Sequence, residues 1–293
     1  MKKLSLLLLF ALMTIVMTAN DGAFCSNGTH LIPINDTVIS VQKEILTITR
    51  YDDTVSGYGS TFLVNVYYEF YNSGPAKDVI VGFEAPSPDG NATVGSVESM
   101  YEGQPYINDF QVIMNGKNLP YQIAHVPYKA RGAYNFDYEI RTEDYYKDGK
   151  IQDITLDEYY KIVNDNFEDP DECWEFYGVL YYYVYHFDAH FEPGVNIIQH
   201  TYTTKGSELV LMDYVFDYIL TAANRWANNG IDDFTLTLNL GDLTGAYYGI
   251  EGVGAEEWKN EDGTIILRKK KFHPEGELYI GKRSEDEEYD DEE

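Results

Sequence analysis

Strict two-residue alternation of apolar and polar side chains constrains this chain more than any other feature. In residues 62–72, "FLVNVYYEFYN", Phe62, Val64, Val66, Tyr68 and Phe70 fall on one face, and Asn65, Tyr67 and Glu69 on the other. In residues 234–241, "FTLTLNLG", Phe234, Leu236, Leu238 and Leu240 alternate with Thr235, Thr237 and Asn239. That period suits a half-buried strand and no amphipathic helix. The 27 tyrosines cluster with Val, Ile and Phe in similar runs, which is the composition of pleated surfaces. Asp89-Gly90, Asn115-Gly116, Asp148-Gly149, Asn229-Gly230 and Asp262-Gly263 punctuate the chain with dipeptides that accept positive φ. The expected fold is mainly β: an antiparallel β-sandwich, in one or two sandwich regions, with a short helical insertion.

The first residues have a different character. Lys2 and Lys3 precede an apolar run from Leu4 to Val16 that ends in Met17, Thr18 and Ala19, the pattern of a secretory signal peptide over residues 1–19. The run is short for a membrane span, and Asn20 and Asp21 follow at once. The mature chain is therefore expected to start near Asn20 and to be secreted or periplasmic, with no membrane span after leader removal. Cys25 does not read as a lipid-anchoring site, because Phe24 fills the position where a small residue is needed.

Four further regions are expected. Residues 20–140 read as an N-terminal β-sandwich region and 179–283 as a C-terminal β region. Between them, 141–178 is an acidic insertion in which Thr155 and Glu158 form a capping box. The helix that starts there carries Leu156, Tyr159, Tyr160 and Val163 as an apolar stripe. Residues 284–293, "SEDEEYDDEE", read as a disordered acidic tail. The basic run Arg268 to Lys271 sits in the strand-like "TIILRKKKF", so its side chains are expected to alternate between faces on a solvated edge strand.

Charge excludes more than it selects. With 49 acidic and 21 basic residues, the net charge is −28. Such a field repels nucleic-acid phosphates and anionic lipid, so no nucleic-acid partner is expected; cations, basic proteins and neutral ligands such as glycans are allowed. Cys25 and Cys173 are the only cysteines. In an oxidising compartment they can pair as one disulfide, and two unpaired buried thiols is the alternative reading.

The start "NDGAFCSNGTHLIPINDTVISVQKEILTI", followed by "VNVYYEFYNSGPAKDVIVGFEAPSP", resembles a family of secreted bacterial proteins of unknown function, some of which also carry a YARHG domain. "FEPGVNIIQHTYTTKGS" and "FDYILTAANRW" resemble the second half of that family. The rhythm of Tyr68, Phe70, Asn72, Phe83, Pro86 and Pro88 is similar to that of VIT-type β-sandwich domains. The resemblance covers most of residues 20–245. It implies a secreted β-sandwich protein and no catalytic residues.

The most chemical-looking constellation is "YHFDAHFE". On a strand, His186, Asp188 and His190 project from one face while Phe187, Ala189 and Phe191 pack on the other. Such spacing can place two imidazoles on one metal ion, with His200, Glu192 or Asp217 completing the set. The alternative is an ordinary polar outer face. No cofactor is expected beyond that candidate metal ion. The acidic stretches "NDNFEDPDE" from Asn164 and "NGIDD" from Asn229 offer hard oxygen ligands without the spacing of a calcium loop. Trp174, Trp226, Trp258 and the run Tyr181 to Tyr183 can stack on a ligand or serve as packing. No Gly-x-Ser-x-Gly elbow or phosphate-binding loop is present. The expected function is a non-catalytic binding or scaffold role toward a protein, peptide or glycan. The alternative is a metal- or carboxylate-dependent extracellular hydrolase.

Overall fold

The computed structural model describes residues 27–28, 31–34, 38–52, 60–86, 107–131, 137–147, 150–166, 178–209 and 212–283. Residues 1–19, where a leader is expected, Cys25, Cys173, Trp174, Asp89-Gly90, Asp148-Gly149, most of the 164–172 stretch and residues 284–293 lie outside the described residues.

The fold is mainly β, with three main sheets and one helix among the described residues. The largest sheet has eight strands in the order β18 (Lys259–Glu261), β19 (Thr264–Phe272), β16 (Ile231–Asn239), β3 (Ile39–Asp52), β4 (Ser60–Asn72), β13 (Gly194–Lys205), β6 (Ile107–Met114) and β7 (Lys117–Asn118). A second sheet runs β2 (Leu31–Ile34), β5 (Lys77–Pro86), β12 (Gly178–Phe191), β8 (Gln122–Arg131), β9 (Asp137–Glu139). A third runs β1 (Asn27–Gly28), β15 (Met212–Tyr218), β20 (Leu278–Arg283), β17 (Ala246–Ile250), with β14 (Ser207–Leu209) paired to β15. A small ribbon joins β10 (Tyr146–Lys147) to β11 (Lys150–Ile151). Pairing is antiparallel except for β3 with β16 and β1 with β15. The eight-stranded sheet draws β3, β4, β6 and β7 from the first half of the chain and β13, β16, β18 and β19 from the second.

The alternation expected for residues 62–70 and 234–240 is present: every inward side chain of both sets is buried. The other two sheets pack against the inner face of the large one. Phe62 stacks on Phe216 at 4.7 Å and meets Tyr214 edge-on at 5.6 Å, joining it to the third sheet. Phe70 meets Phe191 at 5.8 Å, and Phe83 meets His200 at 5.1 Å, joining it to the second. Each such ring, fully buried, contributes about 1.5–3 kcal/mol. Buried Asn72 braces a corner: its side chain donates to the carbonyls of Pro75 (2.9 Å) and Phe191 (3.2 Å) and accepts from Gly74 N–H (3.0 Å).

Turn chemistry follows the sequence at two hairpins. Asn115 and Gly116 (φ 49° and 78°) link β6 to β7, and Asp262 and Gly263 (φ 51° and 86°) link β18 to β19, the mirror-image turns that match strand twist. Asn229-Gly230 instead leads from a 3-10 turn into β16. Gly230 has φ 150°, and a Cβ there would sit 2.4 Å from the Phe272 carbonyl oxygen, so the position needs glycine.

The insertion's helix α1 (Leu156–Asn166) begins at the expected capping box. Thr155 Oγ1 accepts from Glu158 N–H at 3.3 Å, and Glu158 Oε2 accepts from Thr155 N–H at 3.1 Å. Its stripe is narrower than expected. Tyr159 and Val163 are buried, whereas Leu156 and Tyr160 face solvent, because the second sheet covers only the i, i+4 line. In β19, Lys269 pairs with Glu257, Lys270 with Asp233 at 2.6 Å, and Arg268 with Glu261 at 3.7 Å, so the basic run spreads over separate partners.

Candidate ligand-binding face of the large sheet

The outward side chains of the eight-stranded sheet fall into rows fixed by strand register. Thr237, Thr47, Asn65, Thr201 and Gln111 lie side by side on β16, β3, β4, β13 and β6. The adjacent row is Thr235, Ile45, Tyr67, Gln199 and Ile113. The members of both rows on β3, β4, β13 and β6 floor a trough of about 290 Å³, and the β16 threonines lie beyond its edge. No Asp, Glu, Lys or Arg lines it, on a chain where nearly a quarter of the residues are charged. Its floor is apolar at Ile45, Ile113 and Tyr67, and hydrogen-bonding at Thr47, Asn65, Gln111, Gln199 and Thr201.

Each of these positions is outward because its neighbours are inward: Leu46 and Ile48, Val64 and Val66, and His200 and Tyr202 are buried on the other side of the same strands. Among the described residues, none hydrogen-bonds the side-chain amides of Asn65, Gln111 or Gln199, which leaves their donors and acceptors turned to solvent.

One end of the trough is bounded by charge that is already neutralised. In the next row, Lys43 lies opposite both Asp233 and Glu69. Its ammonium donates to Glu69 Oε1 at 3.1 Å, and the Tyr67 hydroxyl donates to the same oxygen at 3.0 Å. The Glu69 hydrogen bond, followed by its charge, holds Lys43 above the ordinary lysine range. Burial first, then the bond to Glu69, raises the Tyr67 phenol. The phenol is tethered at its tip, so its ring is held in one orientation beside the amides.

The three first expected metal ligands lie on β12 of the second sheet. His186, Asp188 and His190 share one face of β12, and Phe187, Ala189 and Phe191 are buried on the other. His190 Nδ1 is 2.7 Å from Asp78 Oδ1, and its Nε2 is 3.4 Å from Glu192 Oε1. The hydrogen bond to Asp78 leads in raising its pKa, whereas burial lowers that of His186. His200 is on the opposite side of the second sheet, buried among Tyr68, Phe83, Phe110 and Tyr202. Asp217 is on the third sheet, opposite Tyr279. Among the described residues, no three His, Cys, Asp or Glu side chains gather as a metal site.

The aromatics singled out in the sequence are packing residues where described. Trp226 is buried with its ring 4.5 Å from that of Phe70, and half-buried Trp258 meets Tyr248 at 5.1 Å. Tyr181 and Tyr183 are buried, and Tyr182 stacks on Tyr128 at 4.2 Å. In the "NGIDD" stretch, Asp233 is taken up by Lys270 and Asp232 accepts from Asn228 at 3.4 Å. Tyr67 was legible as an outward residue of β4, but its trough neighbours on β13 and β6 come from strands distant in sequence.

No protein-family model matches the chain, and no curated protein matches it. Among solved structures, the fold is similar to that of a candidate nutrient-binding protein from Legionella pneumophila, with a TM-score of 0.58 and 15% identity over 89% of this chain and 72% of that one. Two M1 zinc metallopeptidase structures, one of them from Deinococcus radiodurans, align with TM-scores of 0.36 and 0.34 at 10% identity. The alignments cover 84% of this chain and 43% of each peptidase.

Proposed function

We propose that this chain is a non-catalytic binding protein that works outside the cytoplasm and captures a small, uncharged polar ligand in the trough on the large sheet. The observation that carries this reading is the uncharged, hydrogen-bonding floor in a chain of net charge −28. A patch that combines open amides, hydroxyls and a fixed phenol ring has the mixed lining of a small-molecule site. The secretory pattern of residues 1–19 supports the extracytoplasmic setting, and the nutrient-binding description of the Legionella protein with a similar fold is in keeping with a binding role.

A thermal-shift screen of uncharged metabolites tests the site. A ligand that binds only the folded state raises Tm by mass action. Thr201→Trp fills the trough from an outward strand position. Stabilising ligands of the parent protein are expected to lose their effect in this variant. Undiminished stabilisation of a folded Thr201→Trp protein would place binding elsewhere.

A further inference from the structure

The lining of the trough limits the class of ligand, if the trough is the binding site as proposed above. We infer that it takes a neutral saccharide, with one pyranose ring lying against Tyr67 and its hydroxyls directed at Asn65, Gln111 and Gln199. Directly opposed side chains on adjacent strands are about 5 Å apart, so the floor is a grid of polar groups at roughly the span of a sugar ring. A carboxamide presents a donor and an acceptor side by side, which complements two neighbouring hydroxyls. Thr47 and Thr201 add hydroxyls that either donate or accept.

Other classes fit less well. An amino acid or short peptide with free termini brings an ammonium and a carboxylate, each needing an opposite charge once desolvated. The charges in the row beyond Tyr67 are already paired: Lys43 is 3.1 Å from Glu69, and Asp233 is 2.6 Å from Lys270. A wholly apolar ligand would cover three amides and two hydroxyls without replacing their water. Uronic and sialic acids are opposed by the field of the −28 chain. The ring of Tyr67 supplies the apolar face that one side of a pyranose needs. Its hydroxyl bond to Glu69 at 3.0 Å prevents the ring from having to be ordered on binding.

The test is saturation-transfer NMR on the full chain with maltose, cellobiose and N,N′-diacetylchitobiose, set beside glutamine and glycylglutamine. At least one disaccharide is expected to bind. Tyr67→Ala should weaken it by about tenfold or more, corresponding to about 1.4 kcal/mol, while Tyr67→Phe, which keeps the ring, should retain most of the affinity. If Tyr67→Ala does not fold, Asn65→Ala with Gln199→Ala serves the same purpose. Binding of glutamine or glycylglutamine that Thr201→Trp abolishes, with no saccharide bound, overturns the saccharide assignment and leaves the trough as the site. No binding by any probe, or saccharide binding indifferent to both Tyr67→Ala and Thr201→Trp, overturns the assignment and the trough together.

Discussion

Glu44 and Tyr68 lie directly opposite one another on β3 and β4, and both are fully buried. The placement comes from a β-bulge. Register shifts between Val41 and Lys43, so the inward set of β3 changes from Ile39 and Val41 to Glu44, Leu46 and Ile48. Burial holds the Glu44 carboxyl well above the ordinary carboxylate range, and the adjacent Tyr68 hydroxyl offsets only part of that shift. Burial, followed by the charge of Glu44, likewise raises the Tyr68 and Tyr218 phenols. A protonated Glu44 carries no charge into this core.

The proton on Glu44 links stability to pH. The folded state retains this proton over a range in which the unfolded chain has lost it, so the contribution of Glu44 is complete below the ordinary carboxyl value near 4.5 and falls as pH rises through the native value. Glu44→Gln keeps a neutral donor in the same shape. At pH 7.5 it is expected to stabilise the protein, with little effect at pH 4.5. Urea unfolding at the two pH values measures this. A Gln variant less stable than the parent at pH 7.5 would mean that Glu44 is ionised in the core.

Asp217 gives a second window. Burial, followed by the charge of Glu277, raises its pKa from 3.8 to about 6. Glu277 itself is committed to the turn after β15, accepting from Thr221 N–H at 3.1 Å as well as from Leu220 N–H and the Thr221 hydroxyl. The contribution of Asp217 is therefore full below about pH 4 and lost as pH rises through about 6. Asp217→Asn should flatten that part of the stability profile. Carbon-detected NMR of the Asp217 carboxyl should give a midpoint near 6; one near 4 would contradict the account.

Thr155→Ala removes the hydroxyl that accepts from Glu158 N–H at the start of α1. The expected cost is about 1 kcal/mol, with hydrogen exchange faster in the first turn of α1 and unchanged in β4. A Thr155→Ser variant restores the cap. Equal exchange in the parent and Ala proteins would show that the contact of Tyr159 and Val163 with the second sheet fixes the helix start without the cap.

Fold class was legible wherever strand period ran unbroken, as it does from Phe62 to Phe70 and from Phe234 to Leu240. Glu44 was not legible, because carrying the period of Ile39 and Val41 forward turns Lys43 inward and Glu44 outward, and one bulge reverses both. The helix start was written in Thr155 and Glu158, whose interaction is local. Which of Tyr159 and Tyr160 is buried depends on the sheet beneath and could not be read locally. The trough was hidden for a related reason. Thr47, Asn65, Gln111 and Thr201 look like solvated strand residues one at a time; β3 brings Thr47 beside Asn65, but Thr201 and Gln111 join them only through the pairing of β13 with β4, more than a hundred residues away, and with β6. His186, Asp188 and His190 gave a stronger local signal than any of these, because alternation guarantees a shared face and carries no information on what approaches it.

The most direct test of the ligand-binding account is amide chemical-shift mapping of the full protein titrated with the disaccharide that binds. The account predicts that the largest shifts fall on four separate stretches, residues 45–47, 65–67, 111–113 and 199–201, and that the β12 stretch 186–190 stays still. Shifts concentrated on β12, on the third sheet or around Trp258, with those four stretches unmoved, would contradict it.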